Sequence, residues 1–235
     1  MTTMITADAH ELARPLRPQE FGRTRPARID DAIVEPAWPG VRVIASVSGG
    51  TATLLDEGEL VEELAHIGEA LARATTAFAE AAIFEGYLTK QILSEGVGVR
   101  AWKAEYPTLR GQMTRMFIGG RRNQLDEIEK RREAEIAERQ FDEDDEVNLV
   151  IVDLLWLEGE WLLDVPLLER QRFLESILQP GDLVRPGLFV RQPIDSWVGS
   201  WHAQGFRGVT FKAANSRYRP GATAEDWTRS DLPRR

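Results

Sequence analysis

The sequence predicts a mixed α+β fold built on antiparallel sheets, and three observations predict it. Val41, Val43, Ala45 and Val47 alternate with Arg42, Ile44 and Ser46, the two-residue period of a strand with two different faces. Leu60, Leu64, Ile67, Leu71 and Phe78 recur at helical spacing with Glu and Arg between them. Along the chain the elements run strand, hairpin, helix, strand, helix, strand, helix, strand, helix, strand, an order that suits a mixed α+β domain.

Each element has a local reason. The strand signal begins at Ile33. Ser48-Gly49-Gly50 is turn chemistry, and residues 51–55 return antiparallel to the strand before them. Residues 81–88 form a short apolar strand that contains Glu85-Gly86. Residues 148–157 are the most apolar segment, closed by the turn-like Glu158-Gly159, and read as a buried strand. Asp153 lies inside it and needs a hydrogen-bond partner or a cation, because an uncompensated buried charge costs about several kcal/mol. Pro166 opens a helix, where its missing N–H does little harm; Leu167, Leu168, Leu174, Ile177 and Leu178 give that helix an apolar face, and Pro180-Gly181 stops it. Residues 188–190 are a short strand. Trp197 and Trp201 lie four apart on a helix ending at Gly205 and read as core packing rather than a base-stacking platform. Residues 209–212 form the last expected strand, before a loop over 216–221 and a tail containing Trp227. Residues 1–28, rich in Pro and Arg and without periodicity, read as an extended arm.

Composition narrows the function classes. The chain has 235 residues, 29 basic and 38 acidic, with a formal net charge of −9, which argues against non-specific nucleic-acid binding by the whole surface. The charge is uneven: residues 121–146 carry eleven acidic and six basic residues and read as a solvated helix, whereas residues from 181 onward carry nine basic and five acidic. A chain without cysteine has no disulfide, thiolate metal site or cysteine nucleophile, and suits a reducing cytoplasm. Three scattered histidines, His10, His66 and His202, give no multi-histidine metal centre. No apolar run reaches the roughly 18 to 20 residues of a membrane helix, and the first residues do not read as a secretory signal. Walker-type, GxGxxG, HExxH and GxSxG motifs are absent from the sequence.

Two segments resemble the adenylation domain of ATP-dependent DNA ligases. Residues 148–178, NLVIVDLLWLEGEWLLDVPLLERQRFLESIL, are similar to that family's FDLL-L-G-DL-PL-ERR-LL stretch. Residues 203–227, AQGFRGVTFKAANSRYRPGATAEDW, are similar to its GxEGVVxKxxxSxYxPGxRSxxW stretch. Upstream, residues 34–42 stand where the family has its nucleotide-attachment motif, E-x-K-x-D-G-x-R. The resemblance implies a two-lobed, antiparallel-sheet nucleotidyltransferase domain related to ATP-grasp, over 29–235, with a charged helical insert near 97–146 and no OB-fold domain. It also implies the family's chemistry: a lysine amine attacks the α-phosphorus of ATP, carboxylates hold metal, and lysines neutralise phosphate.

Within those motifs Glu35, Gly40 and Arg42 match, but the nucleophile position is Ala37 and the following Asp is Pro39. The S-R-N-G element reads Leu55-Asp56-Glu57-Gly58. D-G-E reads Glu85-Gly86-Tyr87, and F-D reads Val152-Asp153. E-G-V-V reads Arg207-Gly208-Val209-Thr210, so a metal-binding acid has become a cation. Lys212, Ser216, Tyr218, Pro220, Gly221 and Trp227 match, while the terminal W-x-K-x-K reads Trp227-Thr228-Arg229-Ser230-Asp231. Residues that shape the fold remain; residues that carry out the reaction are gone.

The resemblance therefore implies an inactive relative that retains binding of ATP or AMP, of a nucleic-acid end, or of a partner such as a DNA repair protein. It assigns no catalytic residue and no metal ligand. For a bound nucleotide it places Glu35 at the adenine edge, Arg42 at ribose or phosphate, Asp153 on the floor and Lys212 on phosphate. Arg207 takes the place of a metal's charge, since a guanidinium pairs bidentately with phosphate. Two alternatives stay open. One is an active nucleotidyltransferase using another lysine, from among Lys90, Lys103, Lys130 and Lys212. The other is a structural interaction module with a collapsed cleft.

Overall fold

Residues 8–75, 79–91 and 147–232 are described by the computed structural model. The charged insert near 97–146, Phe78, Lys103 and Lys130 lie outside them. Two sheets pack together, and the buried residues form three apolar clusters: one between the larger sheet and its helices, one between the sheets, and one that joins the second sheet and its helix to Tyr87, Val150 and Val152 of the larger sheet.

The larger sheet grows from β3 (Val41–Ser48), which pairs on one side with β4 (Thr51–Asp56) and on the other with β6 (Ala81–Thr89). The β3–β4 turn uses Gly49 and Gly50 at φ +56° and +80°, values that favour glycine. β5 (Glu59–Leu60) closes one edge; β7 (Asn148–Leu157) continues beyond β6 and carries β8 (Glu160–Trp161) and, in parallel, β9 (Val184–Pro186). Along β3 the period of two holds. Val43, Ala45 and Val47 face α2 (Ala65–Thr75) and α3 (Leu167–Ile177), packing with Ile67, Leu71, Leu174 and Ile177. Ile44 points the other way, with Ile83, Leu155 and Trp156, towards Ile33 and Trp227 of the second sheet and Tyr218 of a loop beside it.

That second sheet has the order β1 (Glu20–Gly22), β12 (Thr223–Asp231), β11 (Gly208–Ala213), β2 (Ala32–Pro36), β10 (Val190–Arg191). Its outer face is covered by α4 (Asp195–Ala203), through Val198 and Trp201 packed with Val34, Val209 and Phe211.

Several expectations are corrected. The first long helix begins at Ala65, not Leu60, because Glu57 and Gly58 at positive φ fold residues 55–60 into a tight β4–β5 hairpin; Leu64 sits in a 3-10 turn. Residues 8–28 are not an extended arm. Asp8 caps α1 (Ala9–Ala13) through the His10 N–H, Ala9 and Ala13 are buried, and β1 pairs with β12. The expected strand at 188–190 is replaced by β9 and β10. The tail around Trp227 is β12, the longest strand of its sheet, missed because only Ala224 and Trp227 interrupt its polar run. Trp201 is core, but Trp197 is 38 % exposed. No helix of the described residues is long and apolar enough to cross a membrane.

Gly40 joins β2 to β3 at φ +112°, and a Cβ there would lie 2.1 Å from the Leu88 carbonyl oxygen. Gly40→Ala is expected to destabilise the fold by about 1–3 kcal/mol from backbone strain alone, with the clash in addition. Chemical denaturation of the variant measures it.

Candidate functional site

Polar side chains converge between the two sheets. On β2, Ala32 and Val34 face α4, so the intervening Ile33 and Glu35 face the larger sheet. Glu35 lies opposite Thr210 of β11, and Lys212 lies two residues further along the same face. The diagonal neighbours meet: Lys212 Nζ is 2.8 Å from Glu35 Oε2, both nearly fully buried. Trp227 of β12 stands opposite Lys212, its ring centroid 4.6 Å from Nζ, so the ammonium is held between a carboxylate and an aromatic face.

The larger sheet supplies the facing side. Glu85 on β6 pairs in register with Asp153 on β7, and a bulge on either side of that pair keeps both acids turned inward. Two adjacent carboxylates need two cations. Arg42 of β3 donates to Glu85 Oε1 from Nε at 3.1 Å and from Nη2 at 2.5 Å. Arg170 of α3 donates to both oxygens of Asp153 at 2.8 and 2.7 Å, and also to the Val165 and Ser216 carbonyls. Tyr218 donates its hydroxyl to Glu85 Oε2 at 2.5 Å and accepts the Gln19 N–H. Phe21 and Tyr87 flank the Arg42 guanidinium, whose Nη2 also reaches the Gln19 carbonyl.

Burial raises the Glu35 carboxyl above its ordinary value; Lys212 pulls it back, and Asp153 and Glu85 push it further up. Burial likewise raises the phenols of Tyr87 and Tyr218, helped by Glu85. The sign follows. These phenols keep their protons in the folded chain above the value of 10.0 at which a free tyrosine titrates, so stability present below that pH is lost as pH rises through the folded values. Two of the three tyrosines are therefore expected to stay protonated while the folded chain is taken just past pH 10, as read by phenolate absorbance.

Ala37 sits at the end of this face, 6 % exposed. Its N–H bonds the Gly208 carbonyl, and its methyl lies 3.2 Å from where a Gly208 Cβ would be. Glu35, Arg42, Asp153 and Lys212 thus share one buried cluster. Arg207 stands apart: it is exposed, and no hydrogen bond or ion pair of the described residues joins its side chain to the cluster. Among the described residues, no group of three or more acids or histidines is placed to hold a metal ion. Lys90 lines a separate cavity of about 230 Å³ with Pro39, Gly40, Leu88, Thr89 and Val147.

Comparison with known proteins agrees with this architecture. The family described as ATP dependent DNA ligase domain matches residues 119–230. The crystal structure of the ligase domain from Mycobacterium tuberculosis LigD superposes with a TM-score of 0.61 over 93 % of this chain and 60 % of that one, at 19 % identity. The chain has the fold of a DNA ligase adenylation domain.

A mycobacterial DNA ligase D complexed with ATP and MES superposes on the ligase-like chain with a TM-score of 0.58, at 18 % identity, again covering 93 % and 60 %. DNA ligase 2 of Methanosarcina acetivorans is 28 % identical over 143 residues, 53 % of this chain and 23 % of that protein. The ligase-like chain thus spans about three-fifths of these structures and under a quarter of the curated relative.

Three residues of the ligase-like cluster carry signals in the sequence. Asp153 in an apolar strand demands a cation, and Arg170 lies three residues after Leu167 and four before Leu174, on the buried face of α3. Glu85 interrupts an otherwise apolar strand in the same way. Gln19 has no such signal, because it enters through a segment without periodicity.

The buried cluster also has unfilled hydrogen-bonding capacity beside it. Thr210 Oγ1 and Gln19 Nε2 are buried without a partner among the described residues. Most buried polar groups are paired, so two unpaired ones beside a charged cluster stand out.

Proposed function

We propose that this is a DNA ligase-like protein that binds an adenine nucleotide between its two sheets without transferring the nucleotidyl group to itself. One observation carries the reading: a buried alanine methyl stands at position 37, where the family attaches AMP to a lysine amine. A methyl group has no lone pair with which to attack phosphorus. Glu35, Arg42, Asp153 and Lys212 are the nucleotide-facing residues; Arg207, exposed and apart from them, takes no part in this reading. The ligase resemblance further supports contact with a nucleic-acid end, and a chain without cysteine suits a cytoplasmic setting.

Incubation with α-labelled ATP and magnesium, followed by denaturing electrophoresis, tests this. The expected outcome is no retained label, together with a thermal shift produced by ATP. A retained label overturns the reading in favour of an active enzyme using a different lysine. Lys90, beside the Pro39-Gly40 turn, is then the residue to replace first. No label and no shift, with retardation of nicked DNA that weakens steeply in salt, places the binding role on nucleic acid alone.

A further inference from the structure

The charged cluster between the sheets is self-neutralised. Three carboxylates, Glu35, Glu85 and Asp153, face three cations, Lys212, Arg42 and Arg170, and each cation is engaged. A phosphate brought into this low-dielectric space meets no spare positive charge, and leaves one carboxylate without its partner.

The three pairs are not equally able to give way. Arg170 clamps Asp153 through both carboxylate oxygens and is itself anchored on two backbone carbonyls. Arg42 holds Glu85 through two nitrogens, while Tyr218 holds the other oxygen. The third pair is a single ion-pair contact between an ammonium, faced on its other side by the Trp227 ring, and one oxygen of Glu35. Lysine is a point charge on a rotatable stem and releases a partner more easily than a planar guanidinium does. Lys212 is also a cation of the cluster that the resemblance assigns to phosphate. The unpartnered Thr210 hydroxyl lies opposite Glu35 in register, ready to bond whichever group is left there.

We propose that a nucleotide phosphate enters this cleft by displacing Glu35 from Lys212, and that the displaced carboxylate takes up a proton from solvent as it does so. This rests on the nucleotide-binding reading above. At the exchanged pair the charges match: one phosphate charge takes over Lys212, and the proton neutralises Glu35. The groups facing Glu35 favour that outcome. Asp153 on β7 and Glu85 on β6 both disfavour its negative charge, Tyr87 on β6 stays neutral, and Lys212 on β11 is the one cation in direct contact. Burial already inclines Glu35 to hold its proton.

Calorimetric titration with ATP, in two buffers of different ionisation enthalpy, counts the protons taken up. The wild-type chain is expected to take up more protons than Glu35→Gln under the same conditions, the titration of ATP itself being common to both. The affinity advantage of Glu35→Gln over wild type grows with pH by up to about tenfold per unit above the point where Glu35 ionises in the free chain. Adenosine, which has no phosphate, takes up none, and Lys212→Met weakens ATP more than adenosine. Infrared difference spectra of the wild-type chain need no variant and show a protonated-carboxyl band appearing with ATP. Equal proton uptake by wild type and Glu35→Gln, or no such band, overturns the proposal while leaving nucleotide binding intact. Failure of both ATP and adenosine to bind at any pH removes the nucleotide-binding reading itself, and this proposal with it.

Discussion

Arg170→Leu lowers the thermal midpoint by about 10 °C. The guanidinium is fully buried, and Asp153, also fully buried, has it as its ion-pair partner. Removing one member of a buried pair strands the other charge and costs about 3–5 kcal/mol, and each kcal/mol is worth about 2–4 °C in a domain of this size. Removing both charges, in Asp153→Leu with Arg170→Leu, recovers part of the loss. Recovery stays incomplete because the Val165 carbonyl loses its Arg170 donor, at about 1 kcal/mol, while the Ser216 carbonyl keeps the Leu167 N–H. Calorimetric midpoints for the two single variants and the double variant measure the coupling. Additive single effects would mean that the two groups do not act as a pair.

Trp227→Ala produces a loss of similar size. The indole is fully buried, between Phe21 and Tyr218 with ring centroids 5.9 Å away on each side, under Lys212, with its N–H on Ser216 Oγ at 2.8 Å. Truncating a buried tryptophan costs about 3–5 kcal/mol, because the cavity closes only in part. Trp227→Phe keeps most of the packing and loses the hydrogen bond to Ser216, so its expected cost is about 1–2 kcal/mol. Denaturant midpoints for the two variants separate packing from hydrogen bonding. Equal losses in both would assign the effect to the N–H.

The sequence announced the frame of the larger sheet well, and for a simple reason. β3 and β7 are buried over most of their length, so their side chains carry a strong apolar signal, either alternating or continuous. The second sheet was harder to see. β12 exposes much of its surface and is held mainly by backbone pairing with β11 and β1, and pairing of that kind leaves little trace in side-chain chemistry. The site divides in the same way. Glu35, Arg42, Asp153 and Lys212 were nameable because each occupies a motif position, but their mutual pairing was not, since Glu35 and Lys212 are 177 positions apart in the chain and meet only through sheet register. Arg207 was nameable too, and yet the fold leaves it on the surface. A position in a motif fixes where the backbone runs. It does not fix where a long, charged side chain finds its counter-charge.

The smaller sheet places β12 between β1 and β11, so among the described residues the early strand β1 pairs with the much later strand β12 alone. During synthesis, then, residues 20–22 emerge early and wait unzipped until residues 223–231 have left the ribosome. The larger sheet has no such dependence on the final strand and is free to consolidate first. Until that late closure the acids and arginines of the interior remain open to water, and the last ribbon to dock is the one that seals them in.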